Sequence, residues 1–119
     1  MTIETDVHAA IATVCPRVYP VLARLGTQRP YVTVQNVGGQ PTYYMDRTPA
    51  DKRVLQLFVK AWANSKPDAV ALARQVEAAM MAATAFTARV ESELLDDVET
   101  DAEPWLYSEL QEFVVIGPR

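Results

Sequence analysis

The chain has 119 residues, half of them apolar and 22% charged, the balance of one globular domain and not of a disordered segment. No apolar run approaches the ~20 residues that cross a bilayer, and the acidic start Met1-Thr2-Ile3-Glu4-Thr5-Asp6 lacks the basic flank of a secretory leader. One cysteine and one histidine exclude an internal disulfide and the usual zinc sites, and a net charge of −4 argues against nucleic acid as the main partner. These values predict a soluble domain of a reducing compartment.

Along the chain, Ile3, Val7, Ala10, Ile11 and Val14 recur at helical spacing and predict a first helix over 3–14. Thr2 or Thr5 suits its cap, and Pro16 stops it. Arg17-Val18-Tyr19-Pro20 reads as short and extended, and 21–30 as a connection. Tyr31 to Val37 is rich in β-branched and aromatic residues and predicts a strand, ended by a turn at Gly38-Gly39. A second strand is expected over 42–45, then a polar loop around Pro49. The clearest strand is 53–62, with Leu55, Leu57, Val59 and Ala61 on the face expected to meet the core. Its other face holds Val54, Gln56, Phe58, Lys60 and Trp62, and is either wet or covered by a partner.

Asn64-Ser65-Lys66-Pro67-Asp68 is a helix-start signal, and the apolar spacing after it predicts a helix from about 67 to 84. Residues 86–97 read as a strand, 98–104 as an acidic loop, and 105–116 as the closing strand. In that last strand Leu106, Leu110, Val114 and Ile116 share one face, and Tyr107, Phe113 and Val115 the other. The resulting class is α+β, a mainly antiparallel sheet with about two helices packed on one face, in a single domain over 1–119.

Chemistry-bearing patterns are sparse. His8 and Cys15 stand seven residues apart on one helix, a rise of ~10 Å, too far for a nucleophile–base pair. No nucleophile elbow or phosphate-binding loop occurs. Asp97, Glu99, Asp101 and Glu103 alternate like the first ligands of a calcium loop, but Ala102 and Ser108 occupy the sixth and twelfth positions, where glycine and glutamate are needed. The sequence therefore calls for no catalytic residue, metal or cofactor. The aromatics Tyr43, Tyr44, Phe58, Trp62, Trp105 and Tyr107 come from separate elements. They read as core or interface, with a ligand groove as the alternative; Phe58 and Trp62 are expected beneath a helix, or else at a subunit contact.

Charge is unevenly spread. Residues 1–90 carry ten bases and six acids, a net +4, whereas 91–119 carry nine acids and one base, a net −8. Unlike poles of this kind can dock copies of a molecule on one another; a plain solvated acidic loop is the competing reading.

The order of these segments resembles the phage tail-completion, or tail-terminator, family. The resemblance rests on Arg17-Val18-Tyr19-Pro20, Arg29-Pro30-Tyr31-Val32-Thr33-Val34, Gly39-Gln40-Pro41-Thr42-Tyr43 and Lys52-Arg53-Val54-Leu55-Gln56-Leu57-Phe58-Val59. It continues through Ala71-Leu72-Ala73-Arg74-Gln75-Val76-Glu77-Ala78-Ala79-Met80, Leu94-Leu95-Asp96-Asp97-Val98-Glu99 and Leu106-Tyr107-Ser108-Glu109-Leu110-Gln111-Glu112-Phe113. The ending Val114-Val115-Ile116 departs from a more aromatic family pattern.

The resemblance implies a structural virion protein, not an enzyme. Such a protein ends tail-tube polymerisation and forms the head-proximal joint of the tail, as a homo-oligomeric ring commonly of six subunits. Its implied partners are copies of itself, the tail tube protein and a head-completion or connector protein. Its implied location is the virion tail, with assembly in the host cytoplasm, without sequence recognition of nucleic acid and without a membrane. In such a ring Asp96, Asp97, Glu99 and Asp101 are expected to approach Arg47, Lys52 or Arg53 of a neighbour. The alternatives are a small-molecule-binding α+β domain or minor enzyme with the Tyr/Trp face as its pocket, and a bacterial partner-binding adaptor.

Overall fold

The first helix, α1, spans Ile3–Ala12 in the computed structural model, which describes residues 2–21, 23, 27–40, 45–46 and 52–118. Thr2 is its N-cap, and its hydroxyl accepts the Thr5 N–H at 3.3 Å. Ile3, Val7 and Ile11 form the buried stripe. The helix closes two residues before the predicted end, because the Thr13 and Val14 amides bond back three residues to Ala10 and Ile11 in a tighter turn.

β1 (Val18–Pro20) runs parallel to β2 (Tyr31–Gln40). β2 is longer than its sequence suggests. Gly38 and Gly39 do not turn the chain; they carry it onward with φ of 124° and 142° through a bulge that shifts the register against β3 (Lys52–Ala63). A Cβ at Gly39 would collide with the Val54 carbonyl oxygen, so the close approach of the strands there requires glycine. The strand predicted over 42–45 lies outside the described residues, apart from Met45.

In β3 the expected alternation holds: Leu55, Leu57, Val59 and Ala61 are all buried. Ser65 then caps α2 (Lys66–Ala82), its hydroxyl accepting the Asp68 N–H at 3.3 Å, with Pro67 in the first turn. Ala69, Leu72, Ala73, Val76 and Met80 are its buried positions.

The region read as one strand followed by an acidic loop is two short strands, β4 (Thr87–Val90) and β5 (Leu95–Glu99). Both pair antiparallel with β6 (Leu106–Pro118). Val90 faces Phe113 and Leu95 faces Leu110, so residues 91–94 oppose only two residues of β6. Ser92 fixes this irregularity: its hydroxyl accepts the Glu112 amide at 3.0 Å and its carbonyl accepts the Gln111 side-chain amide at 3.2 Å. Val98 and Glu99, expected in the loop, belong to β5.

The sheet order is β1-β2-β3-β6-β4, with β5 also beside β6. All pairings except β1–β2 are antiparallel, and the class is α+β. Ile3, Val7 and Ile11 of α1, Leu72, Val76 and Met80 of α2, and Leu57, Val59, Phe113 and Val115 of the sheet form one core. Both helices therefore cover the same sheet face. Gly117 lets α1 close on β6: a Cβ there would lie 2.9 Å from the Ile3 side chain.

Candidate interaction surface

The sheet has two unlike faces, and the register sorts the charged and aromatic side chains between them. On the face away from the helices, Tyr31, Trp62, Ser108 and Asp97 lie in one cross-strand row, and Thr33, Lys60, Leu110 and Leu95 in the next. Trp62 and Phe58 are half-buried here and not beneath a helix, which corrects the first expectation for them. Tyr31 stacks on Trp62 at 5.7 Å, Tyr19 meets Tyr31 edge-on at 6.1 Å, and the Lys60 ammonium lies 4.5 Å from the Trp62 ring. The Trp62 indole N–H donates to the Thr33 hydroxyl at 3.1 Å. Phe58, Trp62, Tyr31, Leu106 and Leu110 line a surface groove of about 380 Å³. Burial raises the Tyr31 phenol above its ordinary value, helped by Glu99 and opposed by Arg29.

The acidic side chains do not form one patch. Asp97 and Glu99 sit on the helix-free face of β5, opposite Ser108 and Leu106. Asp96 sits on the other face, opposite Glu109, and its carboxylate takes the Lys66 ammonium at 2.8 Å. Asp97 Oδ1 accepts the Val98 N–H at 2.8 Å. Asp101 is exposed in the segment that follows. Arg29 steadies that segment: its guanidinium donates to the Pro104 carbonyl at 2.9 Å and to Asn64 Oδ1 at 3.0 Å.

The basic group lies elsewhere. Arg53 makes a two-pronged pair with Glu4 at 2.9 and 3.2 Å, fastening the first turn of α1 to the start of β3. Burial pushes the Glu4 carboxyl up, but its own backbone amide, Arg53 and Thr2 together hold it below the ordinary value. Lys52 is exposed at the start of β3, and Arg47 lies outside the described residues. Arg53 faces Gly117 whereas Asp96 faces Glu109, eight residues apart along β6, or about 27 Å. The chain thus holds its two charge groups apart and leaves Lys52, Asp97, Glu99 and Asp101 exposed at its surface.

Neither part of the one Cys/His combination forms a site. Cys15 is buried at the end of α1, with weak contacts to the Arg17 and Pro30 carbonyls, and His8 is exposed on the helix. Among the described residues no group of three or more His, Cys, Asp or Glu side chains is placed to hold a metal ion, and no helix is long and apolar enough to cross a membrane. The feature missed by sequence reasoning is Glu109, 2% exposed under α2. Its signal was present: it shares β6 parity with Tyr107, Phe113 and Val115, the row that faces the core.

The model of the family described as Tail completion protein gp17 matches residues 5–114. The chain belongs to this family. It is a phage tail completion protein, a structural component of the virion tail that works with other tail and head components. No curated protein matches the chain at the level taken as significant.

Proposed function

We propose that this tail completion protein ends tail-tube polymerisation and forms the head-proximal joint of the tail as a homo-oligomeric ring, six subunits being the expected number. Its contacts in that reading are the neighbouring copy, the tail tube protein below and a head-completion or connector protein above, and it assembles in the host cytoplasm. The family match over residues 5–114 carries the reading. The charge layout supports the ring. Groups of opposite sign about 27 Å apart along one sheet cannot neutralise each other within a chain, but they can meet head-to-tail between copies. Asp97, Glu99 and Asp101 would then face Lys52 and Arg47 of the next subunit. Asp96 and Arg53 belong to the same contact at its margins, since each already holds a partner within its own chain.

The role assigned here is docking, not bond-making. A pocket that positions a substrate brings together polar groups left free for it. In the sheet groove the indole and hydroxyl bond each other and the lysine rests on the ring, which favours a contact surface over the small-molecule or enzyme alternative.

The deciding experiment combines purified tail tubes with the wild-type chain or with Asp97→Lys/Glu99→Lys. The wild type should cap tubes at one end in electron micrographs and elute as a ring, alone or after meeting tubes. The double variant should elute as a monomer at moderate salt and leave tubes uncapped. Equal assembly by both proteins would overturn the charge contact, and failure of the wild type to bind tube ends would overturn the terminator role.

A further inference from the structure

Glu109 lies on the helix-facing side of β6, 2% exposed, and its Oε2 has no hydrogen-bond partner. Across the ladder it faces Asp96 of β5, which sets the two carboxyl side chains next to each other on the helix-facing side of the sheet. Asp96 in turn receives Lys66, the first residue of α2, at 2.8 Å. The remaining charged group facing Glu109 is Arg74 of α2, which Glu77 holds at 2.8 Å and Glu93 approaches at 3.8 Å. β3 presents Ala61 opposite Glu109, and β6 itself presents Tyr107 and Gln111 on the same side.

Two neighbouring carboxyls, one of them buried and left with an unpartnered oxygen, cannot both ionise cheaply, and a proton shared between them removes the repulsion. We propose that Glu109, Asp96 and Lys66 form a proton-dependent latch that holds β5 on the sheet, closed while the two carboxyls share a proton and open when both are ionised. In the closed state Glu109 donates to Asp96, and Asp96 keeps its charge against Lys66. Loss of the proton leaves a buried carboxylate beside a second one, with a single ammonium in contact. The cheaper relaxation moves β5, because all five of its residues are exposed and it pairs with β6 alone. β6, by contrast, is held by twelve paired positions of β3. Burial pushes the Glu109 carboxyl up to about 7, and the neighbouring Asp96 adds to the shift, so the latch opens near neutral pH. β5 carries Asp96, Asp97 and Glu99, so its release changes the presentation of the acidic surface. The latch belongs to the single chain and stands whether or not the ring contact does.

The test is amide hydrogen exchange of the full chain between pH 5 and 8, corrected for intrinsic rates, with β3 amides as the internal reference. Protection over Leu95–Glu99 in the wild type should fall by about tenfold or more across this range, while β3 stays constant. Glu109→Gln donates to Asp96 at every pH, so its β5 protection should not change. Unchanged protection in the wild type, or the same loss in Glu109→Gln, would overturn the latch. The carboxyl carbon shift of Glu109 in the wild type gives a second readout that needs no variant. A midpoint above about pH 6 is expected, and a midpoint at the ordinary glutamate value would overturn the proposal.

Discussion

Glu109 and Gly39 show how single side chains decide local structure in this protein. The sign of the Glu109 effect is fixed by linkage. Its folded pKa of about 7 lies above the ordinary 4.5, so between these values the folded state holds more protons than the unfolded one. Stability contributed by the protonated acid is therefore full below pH 4.5, declines as pH rises toward 7, and is gone above it. Asp96 is shifted down by its neighbours Glu109 and Lys66, so its contribution is lost on the acid side, as pH falls below the ordinary 3.8. The melting temperature should peak near pH 4 to 5 and fall toward pH 7.5; Glu109→Gln should flatten the alkaline limb in a calorimetric series. At Gly39 the expected change is simpler. Gly39→Ala meets the Val54 backbone and forces a positive φ on alanine, and should cost about 1–3 kcal/mol in urea unfolding.

At the scale of elements, what could be read from sequence depended on how many residues carry a signal. β3 was legible because alternation repeats through Leu55, Leu57, Val59 and Ala61, and α2 because Ser65, Pro67 and Asp68 mark its start together. Ser65→Ala should remove the cap of α2 and cost about 1 kcal/mol by chemical denaturation. Gly38-Gly39 misled, because glycines with positive φ serve a hairpin turn and a strand bulge equally well. The break at Ser92 was invisible, since it depends on hydrogen bonds to Gln111 and Glu112 some twenty residues onward. β1 has three residues, too few for any period, and its parallel pairing is a tertiary fact. The placement of Phe58 and Trp62 likewise turned on which side the helices chose, and strand parity alone does not say. The segment after β5 offers a further check. Arg29 holds the Pro104 carbonyl and Asn64 together, so Arg29→Ala should speed limited proteolysis within residues 100–105 and leave the helices protected.

For the whole molecule, the long axis of 54 Å against 25 and 24 Å matters more than the net charge. β3 alone, at twelve residues, reaches about 40 Å, so opposite signs can stand at different ends of one stiff sheet. The charge groups of the proposed contact were visible in sequence as residue types, but their separation was not, because it follows from the β3–β6 register. Contacts built this way weaken with salt. Ring or tube-cap occupancy of the wild type should fall as ionic strength rises past the physiological range, where screening acts within about 8 Å; light scattering against sodium chloride concentration checks it.

Asp97 adds a quieter consequence. By giving its carboxylate to the Val98 amide, it occupies one of the donors with which the border of β5 could recruit a stray polypeptide. Crowded, unused subunits can stay in solution instead of zipping into fibres, and the same negative charges that discourage random annealing remain available for the proposed docking between copies.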